Sequence, residues 1–170
     1  MTSSRQRPGP RVGWLLFAAV VFAPVSPQVQ AEEYANALKG VQRFDAVYDV
    51  SQGSPKVANV VFWAVQNSYE TPETAAKAPN TAIVFRGPAV KLISSDRAFF
   101  NGSEWSEVEK FQETLRQMKK AGVKLEVCLY AAKVMGVDEA TIIPEIDRVG
   151  NGFVSVVGYQ AQGYSVVRIP

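Results

Sequence analysis

The run Ala82-Ile83-Val84-Phe85, preceded by Thr81, is apolar at four successive positions and leaves no alternate side chain to face water. A run this short, bounded by Pro79-Asn80 and by Arg86-Gly87-Pro88, reads as a strand buried on both faces. Such a strand needs helices above and below its sheet, and that makes the chain an α/β protein.

The flanking segments fit that class. Phe44 to Val50 is rich in strand formers and stops at the turn cluster Ser51-Gln52-Gly53-Ser54. Ser54 offers an N-cap and Pro55 a first helical position. Val57, Val60, Val61, Ala64, Val65 and Ser68 follow at helical spacing as an inner stripe. Residues 71–80 read as a loop, and a short helical turn spans Ala89 to Leu92. A long helix is signalled by a capping box, Ser106 with Glu109. Val108, Phe111, Leu115 and Met118 mark its inner face, and Gly122 closes it. Val123 to Val127 alternates as a strand with Cys128 at its end, and Leu129 to Gly136 reads as a helix. After a polar stretch around Pro144, Gly152 to Val157 and Tyr164 to Arg168 read as the last two strands. Strands alternating with helices imply parallel pairing through right-handed crossovers. The expected product is a three-layer α/β/α sandwich, flavodoxin-like, around a mainly parallel sheet of about five strands.

Residues 1–31 are expected to be a cleaved Sec-type signal peptide. Arg5, Arg7 and Arg11 precede an apolar run from Trp14 to Ala23, with Val29 and Ala31 three and one positions before the cut. The run is too short to span a bilayer, which takes about 20 residues. The arginines are not adjacent and no cysteine lies near the cut, so neither a twin-arginine nor a lipoprotein signal is supported. Cleavage removes three of the 18 basic residues and none of the 16 acidic ones, leaving residues 32–170 as a single domain of net charge near −1. The expected location is the periplasm, with no membrane attachment after cleavage and no basic footprint for nucleic acid.

Composition narrows the chemistry. The chain of 170 residues has no histidine and one cysteine. Ser-His-Asp triads, Cys-His dyads, His-ligated zinc, Cys-rich metal sites and internal disulfides are excluded. No metal and no cofactor is expected. In an open parallel sheet ligands bind beyond the carboxyl ends of the strands, which nominates Ser51 to Ser54, Arg86 to Pro88, Cys128, and Gly158 to Tyr159. Cys128 carries the one intrinsically reactive group, placed where helix-mouth amides favour an anion, and Lys124, Lys133 and Arg86 are the cations nominated to fold near it. The competing reading is a packed structural thiol. Ser51, Gly53 and Ser54, with Arg86 and Gly87, are candidates to seat a small anion or phosphate; the competing reading is a plain turn with an N-cap. Asp138, Glu139, Glu145 and Asp147 read as a solvated surface, and Phe99, Phe100 and Trp105 as core or interface packing.

Three stretches carry a resemblance. They are Val84-Phe85-Arg86-Gly87-Pro88-Ala89-Val90; Gly122-Val123 through Cys128-Leu129-Tyr130-Ala131-Ala132 to Gly136-Val137; and Gly152-Phe153 to Gly163-Tyr164 with the closing strand. In order and spacing the chain resembles the DsrE/DsrF-like family of sulfur-handling proteins over residues 43–170, and its Cys-x-x-Ala-Ala is similar to that of the carrier subunit of the cytosolic tRNA-thiolation relay. The resemblance implies that Cys128 accepts sulfane sulfur as a persulfide and passes it to a partner thiol. It further implies a sulfane-sulfur donor and an acceptor thiol protein as partners, carrier behaviour more than independent turnover, and a homo-oligomer, trimer or hexamer. Many relatives carry histidine where Arg86 stands. An arginine there favours a thiolate but shuttles no proton near neutral pH. An exported chain also meets periplasmic rather than cytosolic partners. Two other function classes stay open: a small-anion or nucleotide binder built on the Ser51 loop, and an oligomeric assembly protein in which Cys128 is structural.

Overall fold

In a computed structural model, which describes residues 34–75 and 80–170, Thr81–Phe85 is a strand buried at all five positions. It is β2 of five: β1 (Ala46–Val50), β2, β3 (Lys124–Cys128), β4 (Asp147–Val149) and β5 (Ser165–Ile169). All four pairings are parallel and the spatial order is β4-β3-β2-β1-β5. The helices are α1 (Pro55–Glu70), α2 (Pro72–Ala75), α3 (Gly102–Lys120), α4 (Leu129–Val134) and α5 (Gly152–Ala161). The fold is the expected three-layer α/β type. The signal expectation lies outside the described residues.

The alternation of each strand decides which layer it meets. Tyr48 and Val50 of β1, Ile83 and Phe85 of β2, and Leu125 and Val127 of β3 share one core with α1, α3 and α4. There Phe111 stands edge-on to Phe62 and Phe85, with ring centroids 4.7 and 6.2 Å away. Gln112, buried in the same layer, is satisfied by two carbonyls, Leu92 and Ser94, each at 3.0 Å. The opposite face, with Val47, Ala82 and Val84, is covered by Val156 and Tyr159 of α5 and by Tyr164.

Several local expectations are corrected. Gly152 to Val157 is helix, not strand, despite its β-branched valines. Asn151 caps it by accepting from the Phe153 N–H at 2.9 Å. The missing strand is β4, three residues earlier, and parallel strands cannot be joined by a two-residue link, so the next segment has to be a crossover helix. Gly158 and Tyr159 therefore do not follow a strand, and that nominated site falls. The stripe of α1 is turned: Ala58, Phe62 and Val65 face inward while Val57, Val60 and Ala64 are exposed. The long helix starts earlier than Ser106. Asn101 caps it, with Glu104 returning to the Asn101 N–H, so the box is Asn101–Glu104 rather than Ser106–Glu109. Within residues 71–80, α2 adds one helical turn. The Phe44–Val50 strand, the Ser54 cap, the Leu129 helix and the closing strand stand where the sequence puts them, within two residues at each end except that the Leu129 helix begins in place.

Candidate functional site

Because the strands are parallel, their carboxyl ends share one edge, and the residues that converge there come from four chain segments. Cys128 ends β3 and turns its side chain into α4, where Sγ accepts from the Ala131 N–H at 3.4 Å. The residue is 3% exposed. Arg86, the residue after β2, donates from Nε and Nη2 to Oδ1 and Oδ2 of Asp49 at 2.6 and 2.5 Å. Asp49 sits inside β1, on the face away from the aromatic core, and is buried. The pair is well shielded, with 14% and 12% of the two side chains exposed.

The beginning of α5 closes the cluster. The Phe153 ring lies under the guanidinium, 4.1 Å from its central carbon to the ring centroid, a cation–π contact. Gly152 touches both partners: a Cβ added there would stand 2.8 Å from Arg86 Cγ and Cδ and 2.9 Å from Cys128 Cβ. Glycine at this position is required by close approach, not by its backbone angles. Asp49, Arg86, Cys128, Gly152 and Phe153 thus form one contact group.

The other nominated residues go elsewhere. Ser54 spends its hydroxyl as the α1 cap, accepting from the Val57 N–H at 3.5 Å. The Ser51 N–H donates to the Ile169 carbonyl at 2.8 Å, and the Ser54 N–H to Gln52 Oε1 at 2.8 Å. Gly53 is pressed onto Pro88, where a Cβ would come within 2.6 Å of Pro88 Cβ, and Gly87 needs its positive φ of 50° to make the turn opposite Ser51. The Ser51 loop and the Gly87-Pro88 turn therefore pack on each other. Lys124 is not at the thiol; its Nζ donates to the Tyr164 hydroxyl at 2.9 Å. Lys133 is exposed on α4. Asp138, Glu139 and Asp147 are exposed and Glu145 half-buried, and three of these pair with Arg148, Arg116 and Lys119. Trp105 is buried, with Phe99 and Phe100 packed on the core.

Below Cys128, on the same face of β3, Glu126 Oε1 accepts from the Tyr159 hydroxyl at 2.6 Å. Burial, and then this carboxylate, push the Tyr159 phenol well above its ordinary range. At the far end of β1, Arg43 donates to Asp45 and holds its carboxyl below the usual range. Among the described residues no group of three or more Cys, Asp or Glu side chains converges as a metal site requires. A groove of about 310 Å³ between α1 and α3, lined by Trp63, Val60, Asn59, Gln66, Lys110 and Thr114, carries no thiol and no carboxylate.

A family model described as the DsrE/DsrF-like family matches residues 45–169. The chain belongs to that family. It is similar in fold to a protein of unknown function, MTH1491, from Methanobacterium thermoautotrophicum, at 15% identity and a TM-score of 0.55, covering 74% of this chain and 98% of that one. It is likewise similar to a conserved protein of unknown function, BT1422, from Bacteroides thetaiotaomicron, at 17% identity and 0.54, with 74% and 94% covered. The ychN protein from E. coli gives 14% identity and 0.50, with 75% and 99% covered. At these identities the likeness is one of fold. No curated protein matches the chain. In this DsrE/DsrF-like chain the strand-end rule finds Cys128 and Arg86 but misses Asp49, Gly152 and Phe153. The signals for those three were a lone acid at an alternate position of an apolar strand, and an Asn-Gly pair able to cap a helix.

Proposed function

We propose that the protein is an exported sulfur carrier that accepts sulfane sulfur on Cys128 and hands it to a partner thiol in the periplasm. The observation that carries this reading is the placement of the chain's single thiol at the carboxyl edge of the sheet, in contact with the Arg86–Asp49 pair through Gly152. Family membership over residues 45–169 supports it, as does a composition with no other thiol. In the uptake step the Cys128 thiolate attacks the sulfane sulfur of a donor. A Cys–S–S⁻ bond forms, the donor's own bond to that sulfur breaks, and the leaving group departs with the electron pair. In the delivery step an acceptor thiolate attacks the outer sulfur and the Cys128 thiolate leaves. With no second cysteine, delivery requires that outside thiol.

A second reading, an oligomeric assembly protein with a structural Cys128, draws support from the burial of that residue and from the exposed apolar side chains Tyr130, Val134, Phe153, Val154 and Val157 on α4 and α5. The anion-binder reading on the Ser51 loop draws less, because the Ser51, Ser54 and Val57 N–H groups are already satisfied inside the chain.

Native alkylation separates them. A carrier gives a Cys128 that reacts with iodoacetamide in the folded protein at neutral pH, and the reaction is lost in Cys128→Ser. Labelling that appears only after denaturation removes the carrier reading and leaves the assembly one.

A further inference from the structure

Arg86 holds only part of its donor set in the ion pair. Nε and Nη2 form the edge that faces Asp49; Nη1 makes no hydrogen bond among the described residues, and it is not a fully buried atom. A guanidinium carries five N–H donors in a rigid fork, so fixing one edge aims the rest. Here one edge is fixed by a buried carboxylate, the flat face is covered by Phe153, and the aliphatic stem is packed against Gly152 beside Cys128 Cβ. What remains free is the N–H₂ group on the Cδ side of the guanidinium, and Cδ is an atom that packs at Gly152 beside Cys128. A buried ion pair is costly to keep and adds little net stability, whereas one that aims a cation at a nucleophile has a use for that cost.

We propose that Nη1 of Arg86 forms an anion subsite beside Cys128, with Asp49 as its positioning residue, and that the sulfur donor is a small molecule carrying an oxyanion next to its sulfane sulfur, thiosulfate being the simplest. The inference rests on the carrier reading of Cys128. The sulfonate oxygens accept from Nη1 while the sulfane sulfur meets Sγ. The thiolate electron pair forms the new S–S bond, the S–S bond of thiosulfate breaks, and sulfite leaves with its electron pair. No oxidant or reductant is consumed. Because Asp49 already neutralises most of the guanidinium charge, the subsite holds anions weakly and lets sulfite go.

The test compares an anionic and a neutral alkylating reagent of nearly equal size, iodoacetate and iodoacetamide, on the full mature protein at constant ionic strength. The variant is Arg86→Gln with Asp49→Asn, which removes the charged guanidinium without leaving a buried charge unpaired. The expected result is a fall of about tenfold in the iodoacetate-to-iodoacetamide rate ratio, the scale of one charge-assisted hydrogen bond. A general loosening moves both rates together and leaves the ratio alone. In the wild type, which needs no variant to fold, inorganic sulfate is expected to slow iodoacetamide. If both reagents label Cys128 but the ratio holds and sulfate gives no protection, the subsite is overturned while the carrier stands. If neither reagent labels the folded protein, the carrier reading and this one fall together.

Discussion

The two faces of the sheet are built on opposite plans. The face under α1 and α3 is a dry, interlocked layer in which Phe62, Phe85, Phe111, Leu115, Met118 and Leu125 are all buried to within 1%. The face under α5 has one covering helix and a small apolar patch of Val47, Ala82, Val84, Tyr159 and Tyr164. Around that patch stand Asp49, Arg86, Glu126 and Cys128, polar groups that alternate with core residues along the same strands. Pleating lets one strand serve both plans: Phe85 locks the aromatic cluster, and its neighbour Arg86 pairs with Asp49 and packs at Gly152 beside Cys128. The thick face supplies rigidity, and the thin face holds polar groups in fixed geometry at a place where a single helix end separates them from solvent.

The largest effect separating the faces is expected from Phe111→Ala. It should cost about 3–5 kcal/mol in urea unfolding, as truncation of a fully packed ring does, while the alkylation rate of Cys128 in the folded fraction stays at the wild-type value. On the thin face, Gly152→Ala adds one methyl where Arg86 and Cys128 leave 2.8–2.9 Å. Its expected cost is about 1–3 kcal/mol by overpacking, and here the alkylation rate changes as well. A rate change in Phe111→Ala equal to that in Gly152→Ala would mean that the faces are not independent.

Tyr159→Phe tests the thin face through pH. The wild-type phenol is held protonated in the folded chain, chiefly by burial and next by Glu126. Its contribution is therefore complete below the ordinary tyrosine range near 10 and is lost as pH rises beyond it, because the unfolded chain releases the proton first. The variant should lose about 1 kcal/mol at neutral pH for the missing hydrogen bond and show a shallower alkaline decline in stability. The smallest effect belongs to the caps of α3. Asn101→Ala should cost about 1 kcal/mol and Ser106→Ala less than about 0.5 kcal/mol, by thermal unfolding; the reverse order would restore Ser106 as the helix start.

Much of this plan was legible in the sequence. β2 is an apolar run, β3 alternates, and β1 and β5 are rich in strand formers; from their ends the strand-end rule gives a short list containing Cys128 and Arg86. Two kinds of information were hidden. Asp147-Arg148-Val149 is too short and too charged to announce a strand, so the sequence hides the crossover that strand requires, and the valines of Gly152 to Val157 point to a strand instead. Gly152 and Phe153 are hidden as site residues for the same reason, since only a helix capped by Asn151 brings Gly152 to Cys128 and Phe153 to Arg86. Asp49 was hidden differently. It lies within a strand rather than beyond its end, and its link to Arg86 depends on the β1–β2 register, in which Asp49 is opposite Val84, two residues before Arg86.

The measurement that bears most directly on the carrier is peptide mass spectrometry of the protein after incubation with thiosulfate or an alkyl persulfide. The account predicts a gain of one sulfur atom on the Cys128 peptide, removed by reductant and absent in Cys128→Ser. An unmodified Cys128 in folded protein, with both donors supplied in excess, would contradict it and make the thiol part of the packing.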